Sequence, residues 1–105
     1  MTDAEDKTTA LLASLWVKNR PIIEERLATL DGAAAAAAAG ALSDEQRGVA
    51  NGTAHKLAGA LGMYGYDEGT RIARELEAML GEANPDPARF GALIAELRAA
   101  IFPAA

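Results

Sequence analysis

His55 is the only histidine among the 105 residues, and the chain has no cysteine. The side chains that most often serve as nucleophiles or proton shuttles near neutral pH are therefore reduced to one imidazole. A lone histidine cannot assemble a multi-histidine metal site, and without thiols there is neither a zinc thiolate site nor a cysteine nucleophile. No metal and no cofactor are expected. A neutral imidazole keeps a lone pair on one ring nitrogen, which makes it a base or a nucleophile.

The neighbours of His55 favour the second role. It stands in GTAHKLAGALGMYG, residues 52–65, a helical pattern unusually rich in glycine. On a wheel of about 100° per residue, Val49, Thr53, Leu57, Ala60, Leu61 and Tyr64 fall within about 120°, and this arc is the expected core face. His55 lies roughly opposite its centre. Gly48, Gly52, Gly59 and Gly62 surround it at seven before, three before, four after and seven after, the offsets that share a helix face. Four such glycines could weaken a helix by about 3–4 kcal/mol relative to alanine. The return expected for that cost is access: an imidazole standing proud of a smooth surface over which another protein's active site closes. Acid–base work on a small substrate wants a cleft with convergent polar groups instead. Capture of a group delivered by a partner fits this bare face better.

The elements that must position this face are helices. Ala, Leu, Glu and Arg dominate, β-branched residues are scarce and aromatic residues make up 5%. Leu11, Leu12, Leu15 and Trp16, followed by Ile23, Leu27 and Leu30, form the buried stripe of a first helix over about residues 6–39. Pro21 is expected to bend it near Asn19 to Pro21, and Asp31-Gly32 is a second weak point. Ala33 to Ala39 prolong this helix by propensity alone, and Gly40 ends it. Ser43 caps a second helix, with Asp44, Glu45 and a capping-box Gln46 at its positive end, and this helix runs to about Tyr64. A turn at Gly65 and a cap at Asp67 open a third, bearing Ile72, Leu76, Met79 and Leu80 and closed by Gly81. Asp86 caps a fourth, Pro87 fits its first position, and Phe90, Leu93, Ile94, Leu97 and Ile101 line one side. Short connections favour antiparallel neighbours. The expected fold is all-α: an up-down antiparallel four-helix bundle with a long, Pro-kinked N-terminal helix, built as one domain over residues 1–105.

Fifteen acidic against ten basic residues give a net charge of −5, which argues against a nucleic-acid partner. The opening MTDAEDKTTALL is acidic where a secretory signal would be basic and then apolar. GAAAAAAAGAL is too short and too weakly apolar to span a bilayer. A cytoplasmic monomer without membrane contact is expected.

The stretch AHKLAGALGMYGYDEGTRIARELE, Ala54 to Glu77, resembles the histidine-containing phosphotransfer (HPt) domain of phosphorelays. The resemblance rests on His55, Leu57, Gly59, the Gly65 turn and the following helix ending in Leu76-Glu77. It implies a four-helix bundle with the histidine exposed. It also implies acceptance of a phosphoryl group from an aspartyl phosphate of a receiver domain, in a response regulator or a hybrid histidine kinase, and its passage to another receiver aspartate. Such a domain is a phosphocarrier, not an enzyme with a nucleotide site, and this chain carries no GxxxxGK[ST] loop. Glu77 falls where the family often bonds the histidine ring; it either accepts the Nδ1 proton and fixes the tautomer, or is a solvated surface carboxylate. Many members carry lysine three residues after the histidine, where this chain has Ala58. The nearby cation is Lys56, about 100° round the helix, which either reaches the site by its long stem or is solvated. The alternative function is an HPt-fold module that docks a receiver or kinase without transfer. A purely structural dimerisation domain would leave the glycine face unexplained, and a hydrolase using His55 as base lacks a nucleophile and an oxyanion partner.

Overall fold

Capping and periodicity place the helices almost where the chain does. The computed structural model describes residues 3–102, and there it contains α1 (Asp3–Ala38), α2 (Asp44–Met63), α3 (Asp67–Leu80) and α4 (Pro87–Ile101) with no strand. Each helix packs on two neighbours, α1 and α3 each lying against α2 and α4, with no diagonal contact among the described residues. This is the up-down four-helix bundle.

The helix ends follow their chemistry. The Ser43 hydroxyl accepts from the Gln46 amide at 3.0 Å, satisfying one of the orphan donors of α2. Gly40 and Gly65 adopt φ of 69° and 83°, the left-handed conformation that a side chain disfavours, and turn the chain after α1 and α2. Asp86 caps α4 ahead of Pro87. Asp67 is not a cap: Tyr66 occupies that position without a side-chain bond, and Asp67 is the first helical residue. Its charge there still complements the helix dipole.

α1 runs unbroken through both suspected weak points, Pro21 and Asp31-Gly32. Asp31 earns its place by reaching α4, where its carboxylate accepts two bonds from Arg98, one of 2.8 Å. That hydrogen bonding raises the Arg98 pKa. The 36 residues of α1 span about 54 Å at 1.5 Å each, matching the 53 Å long axis of the molecule. Its partners are shorter, so its first turns outrun them. Ile23, Leu27, Leu30 and Ala33 are buried, but Leu11 is exposed and Leu12 and Leu15 are only half-buried, with Leu12 lining a surface groove beside Tyr64 and Tyr66. The expected stripe thus ends at Trp16, which packs against Tyr64, Tyr66 and Phe102 with centroids 5.2, 4.6 and 5.8 Å away. Asn19 donates to the Tyr64 hydroxyl at 2.8 Å and Arg20 stacks over Phe102. Phe90, Leu93, Ile94, Leu97 and Ile101 of α4, and Ile72, Leu76, Met79 and Leu80 of α3, fill the core as their spacing requires. Among the described residues no polar or charged side chain is buried.

Candidate functional site

The rotation of α2 about its axis decides what His55 can touch. Its buried residues are Ala50, Ala54, Leu57, Ala58 and Leu61, an arc centred about 70° from the one the hydrophobic wheel suggests. Val49, expected inside, is 57% exposed. Thr53, Ala60 and Tyr64 are half-buried. The reason is steric. Ala50, Ala54 and Ala58 are short enough to let α3 approach closely, and the small Ala73 and Gly69 of α3 are buried as well. A Cβ on Gly69 would come within 3.2 Å of Leu61 Cδ1 on α2. Packing of helix against helix at short range outweighs the propensity of Val49 to be buried.

His55 therefore does not point directly away from the core. It sits at the rim of α2 facing α3, with its side chain 73% exposed. Across the seam, Glu77 Oε2 lies 2.8 Å from His55 Nδ1. A carboxylate only accepts, so a neutral ring bonded to it carries its hydrogen on Nδ1 and its lone pair on Nε2. Glu77 is itself positioned. Asn51, one turn before His55 and on the same side of α2, donates to the Glu77 carbonyl at 2.6 Å. Arg47 donates to the Leu80 carbonyl at 2.9 Å, and Thr70 to the Ala58 carbonyl at 3.0 Å. These three side-chain bonds strap α2 to α3 along the length of the site. Sequence reasoning passed over Asn51, although a polar residue four before the histidine is a same-face signal.

The glycines line the open side. Gly48 and Gly59 are exposed and Gly52 half-buried, and a Cβ at any of the three would meet nothing within 4 Å. Nothing inside the chain requires glycine there. Gly62 differs: a Cβ there would approach Thr70 Oγ1 at 3.3 Å, so its smallness also serves the α2 to α3 contact. Lys56 is exposed on the flank away from α3, and no hydrogen bond or ion pair holds it among the described residues. Ala58 is 5% exposed within the seam, so it is not an open position on the imidazole face. On the outer side of α3, Arg71 is engaged by Glu68 and Glu75. The hydrogen bond between Arg71 and Glu68 holds the Glu68 carboxyl below its ordinary pKa and raises that of the guanidinium.

This arrangement is one exposed imidazole, one carboxylate bonded to its Nδ1, and a face of glycines beside it. The profile of the Hpt domain matches residues 23–101. The chain belongs to the Hpt domain family. Hpt domains are phosphocarrier modules of two-component signalling that work with receiver domains, and they are not nucleotide-binding catalytic domains. A curated relative, Protein RcaC of Microchaete diplosiphon, is 31% identical over 80 residues. The alignment covers 76% of this chain and 12% of that protein. No solved structure matches. The Hpt match begins at Ile23, so the N-terminal part of α1 that Trp16 anchors lies outside it. No described helix is long and apolar enough to cross a membrane, and among the described residues no cluster of His, Cys, Asp or Glu forms a metal site.

Proposed function

We propose that His55 is the phosphoacceptor of a phosphorelay, receiving a phosphoryl group from the aspartyl phosphate of one receiver domain and returning it to the aspartate of another. The observation that carries this reading is the contact of 2.8 Å between His55 Nδ1 and Glu77 Oε2. In the step, the Nε2 lone pair forms the N–P bond while the P–O bond to the receiver carboxylate breaks, and its electron pair leaves with that carboxylate. The imidazole, still protonated at Nδ1, becomes cationic, and the adjacent Glu77 carboxylate stabilises it. Transfer onward is the reverse, onto a second carboxylate.

Gly48, Gly52, Gly59 and Gly62 form the surface on which the receiver of a response regulator or hybrid histidine kinase docks. Lys56 borders that surface and supplies an accessory positive charge to the partner. The chain acts as a single domain over residues 1–105, as a cytoplasmic monomer, with no nucleic acid, membrane, metal or cofactor taking part in its own chemistry. The alternative, a module that docks without transfer, rests on alanine at position 58 where the resemblance expects lysine.

Incubation with a phosphorylated receiver tests the reading. The wild-type chain acquires acid-labile, base-stable phosphate on His55, whereas His55→Gln acquires none and melts at the wild-type temperature, because the exposed ring contributes little to the core. Receiver binding without phosphate on His55 selects the docking module. A His55→Gln variant that melts far lower assigns the ring a structural role.

A further inference from the structure

A phosphoryl group in flight spreads negative charge over three equatorial oxygens, and catalysis of its transfer is mostly positioning and charge stabilisation. Around His55, position 58 offers no cation, since Ala58 is buried in the seam. Lys56 leaves α2 about 100° away from the ring, on the side that α3 does not approach. α3, however, carries a cation at the right level. Thr70 is bonded to the Ala58 carbonyl and Glu77 to Asn51; Arg74 lies between these two anchors on α3, and so stands level with the turn of α2 that bears His55. It is three residues before Glu77, a same-face neighbour of the carboxylate that holds the ring.

We infer that Arg74 binds the oxygens of the phosphoryl group at His55, reaching across the groove between α3 and α2 in place of the charge that Ala58 does not supply. The inference rests on the phosphoacceptor reading of His55. Arg74 is exposed and lines a surface groove with Gly62, Thr70, Arg71 and Glu75. Its neighbour Arg71 is occupied by Glu68 and Glu75, and Glu75 is thereby occupied too. Arg74 has no hydrogen bond or ion pair among the described residues. Its guanidinium is free to move. On the α2 side the groove is lined by Gly62, which has no side chain to obstruct the path. Packed helix axes lie about 8–10 Å apart, a gap that an extended arginine spans. The planar fork then offers two parallel N–H donors to two phosphoryl oxygens, as arginine does for phosphate generally. It takes up no proton and forms no bond; N–P formation at Nε2 and P–O cleavage at the receiver carboxylate proceed as described above.

The test is the time course of phosphate transfer from a phosphorylated receiver to the full chain, followed over a range of receiver concentrations. Arg74→Ala, Arg74→Lys and Lys56→Ala are compared with wild type, with helical content and melting temperature confirming the fold of each. The expected result is a fall of about tenfold in the limiting transfer rate for Arg74→Ala, the scale of a lost accessory charge, with the half-saturating receiver concentration nearly unchanged. Arg74→Lys recovers part of the rate. Lys56→Ala changes the limiting rate less than Arg74→Ala does. A wild-type limiting rate in folded Arg74→Ala overturns the inference, and so does a loss confined to the half-saturating concentration, which would make Arg74 a docking contact. Absence of phosphohistidine in the wild-type chain overturns the phosphoacceptor reading and this inference together; the other two outcomes leave that reading standing.

Discussion

Two stretches of this bundle are built almost entirely of residues without chemistry, and they do opposite things. Ala33 to Ala39 close α1 with the residue that best tolerates a helix. Ala33 is buried, Ala34 and Ala37 pack against the core, and Ala35 and Ala38 face solvent. Gly48, Gly52 and Gly59 occupy one side of α2 with the residue that tolerates it worst short of proline, at a combined cost of about 2–3 kcal/mol. Alanine would fit at all three without meeting another atom. Gly32 and Gly91 stand equally open on α1 and α4, so an exposed glycine by itself signals little. Three on one face, spaced around the single imidazole, fit the proposed reading of a surface kept flat for a partner. The lesson is that smallness is informative where local propensity and internal packing both argue against it.

The largest effect is expected from Gly59→Gln. The new side chain rises one turn from His55 into empty space, so the helix is unchanged or slightly more stable. Transfer from a receiver falls at least about hundredfold, the scale reached when reacting groups are held off alignment by an ångström or so. Full transfer by a folded Gly59→Gln chain would remove the docking role from the glycine row.

Gly69→Val makes the opposite case, since Gly69 is small for internal reasons. A Cβ there would sit 2.8 Å from Ile101 Cγ2 and 3.2 Å from Leu61 Cδ1. Thermal or urea unfolding is expected to show a loss of about 1–3 kcal/mol from overpacking, while the fraction that remains folded still accepts phosphate. Undiminished stability would mean that α3 and α4 separate more easily than their packing implies.

The smallest effect is expected in the alanine run. Ala35→Gln lies on the exposed side of α1, so stability changes by less than about 0.5 kcal/mol and transfer proceeds at the wild-type rate. A large loss of transfer there would extend the docking surface onto α1 and erase the contrast between the two stretches.

Much of the site was legible before any helix was packed. His55 stood out as the one imidazole on a glycine-rich face, and Glu77 was singled out through the family resemblance. Asn51 shares a face of α2 with His55, which its spacing could have shown, but its bond to the Glu77 carbonyl was not legible. That bond, like the level of Arg74 against α2, depends on the register of α2 against α3, and no one-dimensional pattern encodes a register between two helices. The burial of Ala58 was hidden for a related reason: alanine carries little weight in a hydrophobic pattern, so Ala50, Ala54 and Ala58 did not register as a packing face.

Where the helices begin and end is a local matter. Ser43, Gly40, Gly65, Asp86 and Pro87 act on backbone groups within a turn of themselves, and their effects could be read along the chain. The exception, Tyr66 in place of Asp67 as the cap, is a displacement by one residue. How each helix turns about its own axis is not local. It depends on which side chains permit the closest approach of a neighbour, and along α2 the short Ala50, Ala54 and Ala58 outweighed Val49. The same holds for the length of α1 that is covered: Leu11 has the right spacing for burial, but α2 and α4 end before they reach it. Residue types settled that His55 would be exposed. Only the packed bundle decided that it would stand at the seam, within hydrogen-bonding distance of Glu77.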